Sequence, residues 1–316
     1  MIDTCTHALP HGIALACRTA GAPGRPVLLF LHGFPEGAFV WDALLEHFAD
    51  PANGGYRCVA PWMRGFGPSS APTEVAAYRA KHLVQDIAAL VDAETGPGGA
   101  LAALVAHDWG GAVAWSFANQ HPARLRQLAI VNAPHPGAFL RELNGNPQQQ
   151  AASAYMNFLI RPDAEALLAA DDFRRLWQFF TAMGAEAAPG TPGAPDGAGW
   201  LTPAVKEQYR ATWRAGLTGG CNYYRASPLR PPREGDPAAA AITLPDAMLH
   251  IAVPTLLVWA ENDTALPPAL AEGLEPWVPR LTVHRIPRAT HWVVHEQPQR
   301  VIGLIADFIR TADATK

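Results

Sequence analysis

The sequence predicts an α/β fold, a mostly parallel sheet covered by helices on both faces and interrupted by a helical insertion. Three observations carry the prediction. Short apolar runs bounded by Gly and Pro alternate with helix-period patterns through the first half of the chain, and strands buried on both faces read this way. One run, Leu101-Ala102-Ala103-Leu104-Val105, leads through Ala106-His107-Asp108-Trp109-Gly110-Gly111 into helix-like residues 112–117, which makes strand, sharp turn and helix. From about 136 to 246 the alternation stops and aromatic-bearing helical patterns take over, before strand patterns resume at Pro254.

The early strands are Ile13–Cys17, Val27–Leu31, Tyr56–Ala60, residues 101–106 and Leu128–Val131. Between them Leu83, Ile87, Leu90 and Val91 recur at helical spacing and define one buried face. Pro254–Trp259 and Leu281–His284 are the late strands, and a final helix carries Val301, Ile305, Phe308 and Ile309. The chain therefore divides into a core, residues 1–135 and 247–316, and a helical cap, residues 136–246. Such a cap covers the strand ends where open sheets bind ligands; the plainer alternative is one larger domain. Within it, Ala188–Gly197 is rich in Pro and Gly and reads as a mobile loop. A second Pro- and Ala-rich stretch, 228–241, returns the chain to the sheet.

With 316 residues, 49% of them hydrophobic and 16% charged, the chain is long enough to bury a large core. A net charge of −4 and the lack of a long basic run argue against nucleic acid and anionic membrane surfaces as partners. Cys5, Cys17, Cys58 and Cys221 show neither metal-type nor CxxC spacing and read as buried small hydrophobes. No apolar run approaches membrane-spanning length, and no basic segment precedes an apolar core at the N-terminus. A cytoplasmic protein, monomer or homodimer, is the expectation.

Asp108 concentrates the chemistry. Strand, tight small-residue turn and helix make a nucleophile elbow, a position usually held by Ser. A serine that attacked saturated carbon would form an ether, a dead end. A carboxylate forms an ester whose carbonyl then accepts water, so turnover survives. Asp108 therefore points to substrates with an electrophilic sp3 carbon, epoxides or alkyl halides. A helix-capping Asp in a chance turn is the bland alternative.

An ester on Asp108 needs a base to activate water, and elbow folds place nucleophile, acid and His in that chain order. Asp263, past the strand at 254–259, and His291, past the strand at 281–284, fit that order. His291 would deprotonate water while Asp263 fixes its tautomer. Glu261 competes for the acid role and His295 for the base. An oxyanion hole would draw on the backbone N–H groups of Trp109, after the nucleophile, and of Phe34, in His32-Gly33-Phe34-Pro35-Glu36. The His32 side chain itself reads as structural.

Together, the HGFPE run at 32–36, Arg64-Gly65-Phe66-Gly67-Pro68-Ser69, HDWGG at 107–111, Asp263, His291-Trp292, Glu296 and Pro298 resemble α/β-hydrolases of the epoxide hydrolase and haloalkane dehalogenase group. The likeness is greatest to soluble epoxide hydrolases. It covers roughly 27–135 and 247–310 well and the cap only in patches. It implies the α/β-hydrolase fold, no cofactor and no metal, and a small-molecule epoxide and water as reactants. It also makes Phe34–Pro35 a candidate cis peptide. Ala106 and Thr290 stand where the group usually has Gly. Asn132 marks the other place where some relatives carry their acid; an amide cannot supply that charge, which leaves Asp263.

Epoxide hydrolases of this kind protonate the departing oxygen with two cap tyrosines. Tyr155 and Tyr224 match those positions, with Tyr223 the nearest register alternative. A phenol stays protonated at neutral pH and can still donate to a developing alkoxide. Dehalogenases of the group use an indole and an Asn in the HGxP turn, where Phe34 stands here, and the fluoroacetate type places Arg where Trp109 stands. Epoxide hydrolysis is therefore the expected reaction. A haloalkane or haloacid dehalogenase, or a non-catalytic ligand-binding protein of the same fold, is the alternative. Phe158, Trp177 and Phe180 are candidates to line an apolar pocket, although core packing would explain them equally well.

Overall fold

The computed structural model describes residues 1–185, 194–233 and 239–313. Its strands are β1 (Asp3–Ala8), β2 (Ala14–Ala20), β3 (Val27–Leu31), β4 (Arg57–Pro61), β5 (Ala103–His107), β6 (Leu128–Val131), β7 (Thr255–Ala260) and β8 (Leu281–Ile286). They form one sheet in the order β1-β2-β4-β3-β5-β6-β7-β8. β1 and β2 are antiparallel additions at one edge, and every pairing from β4 to β8 is parallel. All residues of β3, β5, β6 and β7 are buried. Helices therefore cover both faces, and the continuous apolar runs are the sequence trace of that burial. β1, Asp-Thr-Cys-Thr-His-Ala, has no apolar run to mark it, because an edge strand needs to bury one side at most.

Before the insertion come α1 (Asp42–Ala49), α2 (Ala80–Thr95) and α3 (Asp108–Gln120). Between β6 and β7 lie α4 (Pro136–Gly145), α5 (Pro147–Ala152), α6 (Tyr155–Leu159), α7 (Ala164–Ala182), α8 (Pro203–Arg214) and α9 (Thr218–Ala226). The chain closes with α10 (Val293–Glu296) and α11 (Pro298–Asp313). Side chains at helix starts fix the boundaries: His135, Asn146 and Thr202 cap α4, α5 and α8, each ahead of a Pro in the first turn. α7 is broken at Asp171, Asp172 and Phe173, which take φ of 52°, 52° and 60°.

An aromatic cluster ties these helices to the sheet. Phe180 of α7 stacks on Trp292 at 4.1 Å, Tyr209 of α8 meets Phe180 at 4.8 Å, and Trp213 donates from its indole to the Pro35 carbonyl at 2.7 Å. Of the loop expected at 188–197, residues 188–193 lie outside the described residues. Asp196 donates its backbone N–H to Arg288 (2.8 Å), so the end of that loop is tied to the core. Of 228–241, residues 234–238 lie outside the described residues. Among the described residues no helix is long and apolar enough to cross a membrane.

Candidate active site

β5 ends at His107, and Asp108 takes φ +49°, a left-handed conformation that costs a non-glycine residue strain. Close approach explains the small residues around it. A Cβ on Gly110 would lie 2.3 Å from the Leu31 carbonyl oxygen, one on Gly111 2.2 Å from the Ala133 Cβ, and one on Gly33 2.4 Å from the Asp108 Cβ. The turn aims the carboxylate out of the carboxyl end of the sheet while α3 departs behind it, its positive end near the acid.

The loops after β3, β7 and β8 converge on the same point. Phe34 donates its backbone N–H to Asp108 Oδ1 at 2.8 Å, and Phe34–Pro35 is cis. His291 presents Nε2 3.8 Å from Asp108 Oδ2, beyond direct hydrogen bonding, so the carboxylate is not tied to the imidazole. Its Nδ1 sits 2.7 Å from Asp263 Oδ2. Asp263 is fully held: Asn132 Nδ2 donates to Oδ2 at 2.8 Å, and the backbone N–H groups of Ala265 and Leu266 donate to Oδ1 at 2.9 Å.

Burial opposes charge on both members of this pair. For Asp263 it is outweighed by the His291 charge and hydrogen bond, then by Asn132 and Leu266, and the carboxyl lies below its ordinary range. For His291 burial is outweighed by the Asp263 charge and hydrogen bond, with Asp108 and Glu36 adding, and the imidazole is raised to about 9.

Tyr155, at the start of α6, and Tyr224, in α9, roof the carboxylate with their rings edge to face at 6.0 Å. Tyr224 also sets its ring against Trp109 at 5.0 Å and Phe34 at 5.3 Å. Both phenols are pushed above their ordinary pKa. Burial is the main cause, and the Asp108 charge adds to it. Tyr223 instead donates its hydroxyl to the Arg64 carbonyl at 3.0 Å. A cavity of about 240 Å³ brings Asp108, Trp109, Tyr155 and Tyr224 together with apolar side chains such as Val113, Phe139 and Leu266. A second cavity of about 240 Å³, lined by Phe34, Phe158, Leu168 and Phe179, meets the first at Tyr155.

Of the three aromatics expected at an apolar pocket, only Phe158 lines either of these cavities. Phe180 is wholly buried against Trp292, and Trp177 packs on Trp213 at 4.5 Å with the Arg210 guanidinium 5.1 Å from its ring centre. Trp177 and Phe180 belong instead to the aromatic cluster that joins the insertion to the sheet.

Sequence reasoning passed over a buried polar network beneath the elbow. Glu36 Oε2 lies 2.9 Å from His107 Nδ1, and its Oε1 accepts from the Tyr209 hydroxyl at 3.2 Å. His107 Nε2 meets the His291 carbonyl at 3.0 Å, so both its ring nitrogens face acceptors. His295, considered as a rival base, instead bonds the Tyr209 hydroxyl at 2.8 Å and stacks on Trp200 at 4.1 Å. Burial disfavours charge on Glu36, but His107 and His295 hold its carboxyl well below the usual range. The signal was present: Glu36 is an acidic residue inside a run that has to be buried. Asn132, set aside as an acid, proves to position one, and its Oδ1 accepts from the Ala260 N–H at 2.9 Å. Thr290 uses its hydroxyl and its N–H on Glu296, at 2.5 and 2.8 Å.

A parallel sheet with an acid at the elbow and a His–Asp pair on later loops defines a hydrolase of the α/β class, and residues 26–298 match the family model for the alpha/beta hydrolase fold. The chain is 33% identical to epoxide hydrolase 3 of Xenopus tropicalis over 303 residues, 95% of this chain and 75% of that one. Among solved structures, an epoxide hydrolase from hot-environment metagenomes aligns with TM-score 0.83 and 35% identity over 98% of this chain and 99% of that one. The Bacillus megaterium epoxide hydrolase, solved with an inhibitor, aligns with TM-score 0.82 and 27% identity over 97% and 100%. The chain belongs to the α/β-hydrolase family, on its epoxide hydrolase branch.

Proposed function

We propose that this enzyme hydrolyses a small-molecule epoxide to a vicinal diol through a covalent ester on Asp108. Residues 136–246 act as a cap that supplies the proton donors. The observation that carries the reading is one cavity shared by the Asp108 carboxylate and the Tyr155 and Tyr224 side chains, with the His291–Asp263 pair behind.

In the first step Asp108 Oδ2 attacks a ring carbon. The carbon–oxygen bond breaks, and the departing oxygen takes a proton from the tyrosine pair. Phenols kept neutral by burial can donate here without competing as anions. In the second step His291 Nε2 removes a proton from water, and the hydroxide adds to Asp108 Cγ. The N–H groups of Phe34 and Trp109 receive the oxyanion on Oδ1. Collapse expels the diol oxygen, which takes the proton back from His291. The second proton of that water, left on the carboxylic acid, restores the tyrosine.

His291 and Asp108 are coupled in this scheme. A carboxylate facing an imidazole raised to about 9 favours the imidazolium. Once Asp108 is an ester its charge is gone, one of the causes holding the proton disappears, and His291 releases that proton to solvent and can act as base. Halide release fits the site less well. It wants N–H donors around the anion, whereas the Phe34 ring packs on Tyr224 and offers none.

A single turnover in heavy-oxygen water tests the scheme. The water oxygen should appear in Asp108 and the first diol should carry the enzyme's oxygen. Label confined to the diol would rule out the covalent route.

A further inference from the structure

The chemistry above leaves a cluster on the N-terminal hairpin unused. β1 and β2 place Cys5 directly opposite Cys17, and His7, two residues along β1, shares that face. Cys5 Sγ, His7 Nε2 and Cys17 Sγ all lie within 4.8 Å of one another, with 3.5 Å between Cys5 Sγ and His7 Nε2. Glu94, near the end of α2, brings Oε1 to 3.0 Å from the same His7 nitrogen while Arg57 donates to its Oε1 at 3.2 Å and its Oε2 at 3.0 Å, so an incoming cation would share this carboxylate with the guanidinium. Cys17 is fully buried, whereas Cys5 and His7 are half-buried, so a small ion can enter from solvent.

These separations can be set against metal geometry. With Zn–S near 2.3 Å and Zn–N or Zn–O near 2.05 Å, a tetrahedron has a sulfur–nitrogen edge of about 3.5 Å and a nitrogen–oxygen edge of about 3.3 Å. The first matches the observed contact and the second lies close to it. A spacing of twelve residues hides the pair from any motif search, because strand register rather than sequence proximity joins them.

We propose that Cys5, His7 and Cys17, with Glu94 as fourth ligand, bind a thiophilic divalent cation of the zinc type. Two thiolates and an imidazole select such an ion over magnesium or calcium, which prefer oxygen. Ligands from β1, β2 and α2 would clip the sheet's edge hairpin to a core helix. The site shares no residue with the proposed catalytic set.

The test uses reduced, chelator-treated full-length protein, with zinc uptake followed by native mass spectrometry and cobalt as the spectroscopic probe. One ion should bind per chain, and cobalt should give a thiolate charge-transfer band. Cys5→Ser, at the half-exposed ligand, should weaken cobalt binding and reduce that band with folding intact. Glu94→Gln should weaken zinc binding. Cys58→Ser, elsewhere in the sheet, should change neither readout. No zinc uptake by the reduced protein overturns the proposal, and so does a cobalt band that is undiminished in Cys5→Ser. A Cys5–Cys17 disulfide with no metal uptake after its reduction also overturns it.

Discussion

Replacing His291 with Gln separates the two chemical steps. In the structure His291 Nε2 stands 3.8 Å from Asp108 Oδ2 without a direct bond, and Oδ1 is held independently by the Phe34 N–H at 2.8 Å. Ring opening should therefore survive the substitution, while ester hydrolysis loses its base. General-base catalysis is worth about 10²–10⁴ in rate, or about 3–5 kcal/mol on the hydrolytic barrier. The covalent ester should accumulate. Folding is the competing concern, because breaking a buried ion pair typically costs about 3–5 kcal/mol. Asp263 keeps three neutral donors, from Asn132, Ala265 and Leu266, which should reduce that cost.

The assay is intact-protein mass spectrometry after mixing with excess epoxide, alongside a thermal melt. One adduct per chain should appear, heavier by the whole mass of the epoxide, because ring opening loses no atom. A halide-displacing enzyme would instead add the alkyl group without the halogen. Peptide mapping should place the adduct on Asp108. A folded variant with undiminished steady-state turnover, or an adduct on another residue, would refute the assignment of His291 and Asp108.

Three further outcomes follow from the same geometry. Tyr155→Phe and Tyr224→Phe should each slow ring opening, and the double variant should lose about 10²–10⁴ in single-turnover alkylation rate, since no donor remains for the leaving oxygen; full-rate opening by the double variant would rule out the tyrosines. Decay of the Asp108 ester should speed up as pH rises, because only neutral His291 accepts a proton, and it should level off with a midpoint below about 9 because the Asp108 charge is absent in the ester. Asp263→Asn removes the main cause of the upward shift and leaves burial, so its midpoint should move to lower pH; a stopped-flow profile with an unmoved midpoint would break that link.

The legible parts of this chain were those where local pattern and tertiary demand coincide. β3 and β6 are fully buried, so apolar runs delimit them at the residues observed, Val27–Leu31 and Leu128–Val131. The run at 101–106 began too early because Leu101 makes only an isolated bridge to Leu125 before β5 starts at Ala103. The elbow was readable because Gly110 and Gly111 touch neighbouring backbone and side chains that admit no Cβ. Long-range partnerships were not readable. Glu36 meets Tyr209 across 173 residues, and nothing local at either position reports the other. Trp177 and Phe180 carry the same helical spacing whether they face a cavity or an interhelical cluster, so only packing could separate those outcomes. Register, rather than composition, decides what Cys5 and Cys17 can do together.

The Phe34 amide donates to Asp108 Oδ1 in the structure. That oxygen carries roughly half a negative charge in the free carboxylate, almost none in the ester and nearly a full one in the tetrahedral adduct. A fixed donor thus steadies the beginning and the late crest of the reaction and does little for the species between them. The nucleophile is blunted by the same contact that later draws water onto the acyl carbon. Under the proposed mechanism, strain in the three-membered ring and acidity from Tyr155 and Tyr224 then drive the opening, which suits such an enzyme to substrates already primed to spring apart.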